Sequence, residues 1–404
     1  MRYGFTTGSC SAAAAKAATY MLLSGKLKES ICITTPKGID FNAEILNIKC
    51  SENEVTCGVL KDGGDDPDVT SGSIVYATVS YLDELDKIDQ SDYKSAESDL
   101  KSNLADYKSN NLDNGDSQII IDGGQGVGRV TMPGLDQPVG NAAINSVPRI
   151  MIEKEVRQVM EVLDYKGGLK IIISIPGGEK IAEKTFNPRL GIKGGLSVLG
   201  TSGIVEPMSS QALLDTIKVE LNQKKALGYK TIVIAPGNYG MDFMKETYSY
   251  NLDQAVKCSN FIGQTLDMIG DLGFEEVLLC GHVGKLIKLS GGIMNTHSHE
   301  ADCRMELMAA AGVRAGLPFE SLNEILKCVS TDGAYDIVLK TGLEKEFMAQ
   351  VMDKVDYYLK KKAEDRFNIE CMIYSNIYGL MGKTGGADDL INKVVNGERE
   401  LKNS

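Results

Sequence analysis

Three stretches, LKIIISIPGGE (Leu169–Glu179), TIVIAPGNYG (Thr231–Gly240) and EVLLCGHVG (Glu276–Gly284), decide the fold class. Each is a short apolar run that ends in a glycine-bearing loop. Runs that are apolar at nearly every position suit strands buried on both faces, as in parallel sheets. A helical pattern separates each neighbouring pair. Between the first two, Leu213, Ile217 and Leu221 share one face of a helix expected from Ser209. Between the second and third, Ile262, Leu266 and Ile269 repeat at helical spacing, with Ser259 as the expected N-cap and Gly273 as the stop. The pattern predicts βαβαβ with right-handed crossovers. Parallel strands end on one side, so the glycine loops are expected to gather at one carboxyl edge, where open α/β sheets bind ligands.

Outward from this centre, the N-terminal part reads as mixed α+β. A Gly-Ser turn at Gly8 and Ser9 opens an Ala-rich helix candidate, Cys10 to Leu23. The strand-like runs ICITT, FNAEILNIKC, EVTCGVL, IVYATVSYL and QIIIDGG follow, with SENE as a hairpin connection. Residues 84–116 turn polar and repetitive, which marks an insertion of low hydrophobicity; Leu100, Leu104 and Tyr107 have the spacing of a short surface helix. From Glu300 onward, ADCRMELMAAAGVRAG, SLNEILKCV and EKEFMAQVMDKVDYYLKKK are helical, IECMIYSN is strand-like, and GLMGKTGGADD is a loop. The expected organisation is an α+β domain over 1–150, a Rossmann-like parallel-sheet domain over 151–300, and a helix-rich part over 301–404 packed on that sheet.

Composition bounds the function. With 404 residues, 43% apolar and 24% charged, the chain is that of an ordinary globular protein with an ample core. No apolar run is long enough to cross a bilayer, and MRYGFTTGSCSAAAAKAA lacks the basic-then-apolar order of a signal peptide. A cytoplasmic protein with no membrane partner is expected. Nine cysteines without a CxxC pair indicate neither a zinc ribbon nor a disulfide framework. A net charge of −12 argues against nucleic-acid binding.

All three histidines, His282, His297 and His299, fall in CGHVGKLIKLSGGIMNTHSHEADCRME. Histidine titrates near physiological pH, so their confinement to one glycine-rich loop region marks a candidate site for polar contact or acid–base work. His297, His299 and Cys303 lack a fourth ligand for a structural zinc, and no metal is assigned. GGQGVGR (Gly123–Arg129) follows a strand but opens no helix, so it is no dinucleotide fingerprint. It reads as a close-contact loop or as a tight turn with no ligand. Asp65, Asp66 and Asp68 in KDGGDDPDVTSG could hold a cationic group or form a solvated turn; their spacing is not that of an EF-hand. Arg129, Arg149, Lys184, Arg189, Lys193, Lys285 and Lys288 are candidates for a carboxylate-binding lining. No nucleophile elbow, Walker A or kinase signature set occurs.

With those segments set out, the chain resembles the CbiD-type cobalt-precorrin-5B C-1-methyltransferases of the anaerobic branch of cobalamin biosynthesis. FTTGSCSAAAAKAA, DGGDDPDVT, GGQGVGRVTMPGL, PVGNAAINSVPRIMI, FNPRLGIKGGLSVLGTSGIVEPMS, APGNYG, SNFIG and GHVGKLIKLSGGIMNTHS carry the likeness, from Tyr3 to Asp302 and more loosely to Asp388. Ser71 and Cys303 depart from a usual histidine and glycine, and the 84–116 insertion is long for the family.

The resemblance implies methyl transfer from S-adenosylmethionine to a ring carbon of a cobalt tetrapyrrole, with cobalt present only as part of the substrate. With that activity, the strand-end inference puts the methyl donor at Gly177, Gly178, Gly237, Asn238, Tyr239, Gly240 and Gly281, and the basic and polar loop residues Arg129, Arg189, Lys285 and Asn295 at the substrate's carboxylates. His282 and His297 become the catalytic candidates. Transient contacts with neighbouring pathway enzymes and a homo-oligomer are compatible with this reading. Two alternatives remain: a non-catalytic cobalt-tetrapyrrole carrier, and a small-molecule kinase of the galactokinase type suggested by the Gly8–Ser9 turn.

Overall fold

The computed structural model describes residues 2–82, 118–207, 209–237 and 241–403. The 84–116 insertion, with its expected helix at Leu100, Leu104 and Tyr107, lies outside the described residues, as do Asn238, Tyr239 and Gly240. The chain divides into two compact units, Met1–Ser209 and Ser210–Ser404. Expected boundaries at 150 and 300 are therefore replaced by one at Ser209. The reason is that the helix at 146–162 packs on the Ala-rich N-terminal helix, and the helices beyond 300 share one core with the second sheet.

In the first unit the Ala-rich segment forms α1 (Thr7–Ser24), longer than expected at both ends. Ala12, Ala13, Ala14, Ala15, Ala17 and Ala18 are all fully buried. A helix that is small and apolar all round can be surrounded, and its short side chains let neighbouring elements approach closely. It packs on a five-stranded sheet of β1 (Leu46–Cys50), β2 (Glu54–Leu60), β3 (Ile74–Tyr81), β4 (Ile119–Gly123) and β5 (Leu169–Ser174), and on α2 (Ser146–Val162). The strand order is β1-β2-β3-β5-β4, antiparallel except for the β4–β5 pair. SENE makes the expected β1–β2 connection, but FNAEILNIKC splits at Ile45, its first half pairing with Ser30–Thr34.

This places the first of the three deciding stretches in the wrong company. Leu169–Ser174 runs antiparallel to β3 in the mixed sheet and takes no part in the parallel one. A continuous apolar run reports burial on both faces, and the centre of a mixed sheet provides that too. The glycine loop after it, with Gly177 and Gly178, accordingly belongs to the first unit.

The second unit holds the parallel sheet. After α3 (Ser210–Ala226) come β6 (Thr231–Ala235), β7 (Val256–Lys257), α4 (Ile262–Asp271) and β8 (Glu276–His282). α5 (Thr331–Thr341), α6 (Glu344–Ala363), β9 (Asn368–Ser375), β10 (Gly379–Lys383) and α7 (Ala387–Asn403) complete it. The order is β7-β6-β8-β9-β10, with the first four strands parallel and β10 antiparallel at the edge.

Alternation along the strands feeds two cores. Ile232, Ile234, Val277, Leu279, Ile369 and Ile373 join one with α3, α4 and α6. Val233, Leu278, Cys280, Met372 and Tyr374 join another with Leu390 and Ile391 of α7. Helices thus cover both faces, which explains why these strands are apolar throughout. Two local expectations change. Ser259 takes φ of 51° and is no cap, α4 starting after Phe261 instead; and GLMGK, expected as loop, is β10. Gly273, with φ of 68°, does follow the end of α4 as the stop. Among the described residues, no helix is long and apolar enough to cross a membrane.

Candidate functional site

The parallel strands of the second unit end side by side. β8 and β9 are in register through His282 opposite Tyr374, and β6 is in register with β8 through Ile234 opposite Leu279. Extending the β6 register puts Gly237 level with His282. The carboxyl edge is therefore built from Pro236 and Gly237, His282 to Gly284, and Ser375 to Tyr378. Among the described residues, no atom lies within 4 Å of a Cβ added at Gly237.

His282 sits half-buried at the end of β8. Its Nδ1 accepts the Gly284 N–H at 3.1 Å and so caps the short helix Val283–Leu286. An accepting Nδ1 leaves the proton of the neutral ring on Nε2. Burial lowers the imidazole's pKa, with the charge of Asp332 pulling weakly the other way. The ring is thus neutral around pH 7 and is a hydrogen-bond donor through Nε2. Tyr374 stands edge-on to it at 6.2 Å.

Lys285 is half-buried, and among the described residues its Nζ makes one long hydrogen bond, 3.4 Å to the Pro236 carbonyl oxygen. Burial lowers its pKa as well. Lys288 is buried and pins the loop beyond: its Nζ donates to the Thr296 carbonyl at 3.1 Å and the Ala301 carbonyl at 2.8 Å. In that loop Asn295 pairs with Phe261 in an isolated bridge and accepts the His297 N–H at 3.1 Å. His297 and His299 are exposed, with rings 4.9 Å apart and edge-on, and His297 Nδ1 accepts the His299 N–H at 3.1 Å. Neither is buried as His282 is. No cluster that could hold a metal ion occurs among the described residues.

Two residues that the sequence reading left out stand at the same edge. Asp332, in the first turn of α5, accepts the Ser375 hydroxyl at 2.6 Å. Ser375 Oγ in turn accepts the Ile377 N–H at 3.0 Å, shaping the turn after β9. A cavity of about 220 Å³ lined by Tyr229, Tyr250 and Val256 opens at the amino end of β6, the other end of that strand from Gly237.

Comparison with known proteins gives this arrangement a family. The CbiD profile matches residues 1–207, and the profile of the CbiD C-terminal domain matches 295–385. A Thermoanaerobacter protein named cobalt-precorrin-5B C(1)-methyltransferase is 44% identical, over 95% of this chain and 96% of its own. One of the same name from Ruminiclostridium cellulolyticum is 40% identical, over 98% and 95%. The chain belongs to the CbiD family. A crystal structure of the cobalamin biosynthesis protein CbiD from Archaeoglobus fulgidus is 26% identical, covering 75% of this chain and 84% of that one, with a TM-score of 0.36.

Many CbiD motifs of the first unit prove to be packing devices. At Gly126 a Cβ would lie 1.8 Å from the Ile175 carbonyl oxygen; at Gly178 and Gly195 it would lie 2.3 Å from the Gly126 oxygen. GGQGVG, PGG and IKGG therefore touch backbone to backbone, the ligand-free turn left open above. Gly177 takes φ of 82° before the short helix Gly178–Ala182. Arg129 grips Asp122 with two hydrogen bonds of 2.7 Å, while Arg189 is exposed. In the acidic turn Asp68 is paired with buried Lys61, Asp62 with Arg2, and Asp65 accepts the Arg2 N–H at 2.7 Å. Ser71 accepts the Gly63 N–H at 3.1 Å and so holds the same turn. At the N-terminal turn the Gly8 N–H goes to the Leu199 carbonyl at 3.1 Å, and the Ser9 hydroxyl to that of Gly203 at 2.6 Å. Those groups are consumed within the fold, which counts against a phosphate cradle.

Proposed function

We propose that this CbiD chain is a cobalt-precorrin-5B C(1)-methyltransferase, which moves a methyl group from S-adenosylmethionine to C-1 of cobalt-precorrin-5B and yields cobalt-precorrin-6A. The observation that carries the reading is identity of 40–44% over nearly the whole length to proteins of that name. Each of these two relatives is matched over at least 95% of its own length.

The donor is assigned to the carboxyl edge of the second unit's parallel strands, which we read as Rossmann-like. The strand end at Pro236 and Gly237, the half-buried ammonium of Lys285 and the His282 ring fit a small ligand with an anionic end. Gly281 lies fully inside β8 and supports His282 from behind, its Cβ position filled by Leu286. The bound donor supplies an electrophilic methyl group on sulfur, which leaves as part of a neutral thioether once transferred. The protein's task is then positioning: two reactants held in line gain up to about 7–11 kcal/mol of barrier in favourable cases. His282, neutral and fixed by its cap, orients a polar group through Nε2 without repelling a cationic donor. His297, on the loop pinned by Lys288, is assigned to the ring substrate. Asn295, beside His297 on the same loop, suits a polar group of the same substrate.

The test incubates purified protein with methyl-labelled S-adenosylmethionine and cobalt-precorrin-5B. The expected outcome is a product heavier by one labelled methyl group. An unchanged mass with retained tetrapyrrole would overturn the enzyme in favour of a carrier.

A further inference from the structure

We propose that Lys285 and Asp332 hold the two ends of the methyl donor on either side of His282, Lys285 taking its carboxylate and Asp332 a ribose hydroxyl. This rests on the donor reading above and adds the residues that recognise it. It also moves Lys285 from the tetrapyrrole's carboxylates, where the sequence had placed it, to the donor.

Both groups are charged, partly withdrawn from water, and short of partners. Lys285 has three N–H donors, and among the described residues only the Pro236 carbonyl, at 3.4 Å, receives one. A half-buried ammonium in this condition is unfavourable until an anion arrives; the depression of its pKa by burial records that cost. Asp332 is the mirror case. Its Oδ1 accepts the Ser375 hydroxyl at 2.6 Å, and its Oδ2 has no partner among the described residues. Tyr378 reinforces the corner by donating to Asp336 at 2.5 Å, one turn further along α5.

Their places in the sheet set the distance between them. Lys285 is tied to the end of β6, His282 ends β8, and Asp332 is tied to the end of β9. Adjacent strands lie about 4.7–4.9 Å apart, so the outer two ends are about 10 Å apart. That is too far for one zwitterionic head group, whose opposite charges would pair within about 4 Å. It suits a ligand whose carboxylate and sugar hydroxyls stand at opposite ends of a short chain, as in a nucleoside sulfonium. The cationic sulfur would then fall near His282, where a neutral imidazole is tolerated and an imidazolium is not.

The test is titration calorimetry of the full chain with two probes, S-adenosylhomocysteine and 5′-methylthioadenosine, the second lacking the amino-acid carboxylate. Lys285→Met should weaken S-adenosylhomocysteine at least tenfold and leave methylthioadenosine within twofold. Lys285→Arg should restore most of the loss, and Lys285→Gln replaces the methionine variant if that one does not fold. Asp332→Asn, which can still accept from Ser375, should weaken both probes about fivefold or more. Equal loss of both probes in Lys285→Met, or unchanged binding in either variant, overturns the assignment while sparing the donor reading. Failure of the unaltered protein to bind either probe removes the donor reading itself, and this inference with it.

Discussion

Two glycine-rich regions look alike as letters and differ as physics. In the first unit, Gly126, Gly178 and Gly195 are glycines because carbonyl oxygens of other loops occupy the space where a side chain would be. In the second, no described atom lies within 4 Å of a Cβ added at Gly237, while Gly284 needs its N–H for His282 and leaves a Cβ position 3.3 Å from the ring nitrogen. The first arrangement spends glycine on packing density, and the second on access to a strand end. Ligand sites are to be sought where glycine leaves room, and not wherever glycine is frequent.

The contrast can be broken by substitution. Gly126→Ala meets a backbone atom at 1.8 Å in a conformation with φ of 74°, so neither partner can yield cheaply. A loss above about 3 kcal/mol is expected, lowering the melting temperature by roughly 6–12 °C. Melting within about 2 °C of the parent would erase the distinction. His282→Ala should cut turnover tenfold or more and cost about 1 kcal/mol through the lost cap. His282→Asn sharpens this, because asparagine can cap Gly284 but replaces the ring; its stability should recover while turnover stays low. His297→Ala should lower turnover without a stability cost, since the residue is exposed. Full activity in both alanine variants would dissolve the assigned roles.

Smaller effects complete the series. Gly237→Ala should change stability by less than about 0.5 kcal/mol, yet weaken donor binding measurably, the reverse of Gly126→Ala. The smallest effect is the pH response of His282. Its folded pKa lies below the ordinary value of 6.5. Below that pH the unfolded chain takes up a proton that the folded chain refuses. Its contribution is full above about 6.5, declines as pH falls through the histidine range, and levels off below the folded value. Urea unfolding between pH 7.5 and 5 should show a shallower decline in His282→Asn than in the parent.

Much of the second unit was legible in the sequence because its strands are apolar on both faces and its helices keep strict spacing at Ile217 and Leu221, and at Ile262, Leu266 and Ile269. What could not be read was sheet membership. Leu169–Ser174 carries the same apolar signature as β6 and β8, and pattern alone does not say which neighbours satisfy it. β10 was missed because GLMGK is poor in β-branched residues and is held by pairing with β9. At the candidate site, histidine rarity exposed His282. Asp332 and Ser375 gave no local sign, since a common acid and a common serine acquire meaning through the register of β9 against β8.

That register has a bearing on the order of assembly. β8 and β9 are neighbours in space, but helices from Arg304 to Ala363 intervene along the chain. A ribosome emits β9 long after β8, so the nascent sheet waits with one flank bare while its helices are made. The hairpin of β9 and β10 forms locally and arrives as a unit that seals that flank. The corner holding Asp332 and Ser375 then comes into being only once β9 has docked, and a polypeptide halted before Asn368 would be a folding intermediate with no place for a nucleoside.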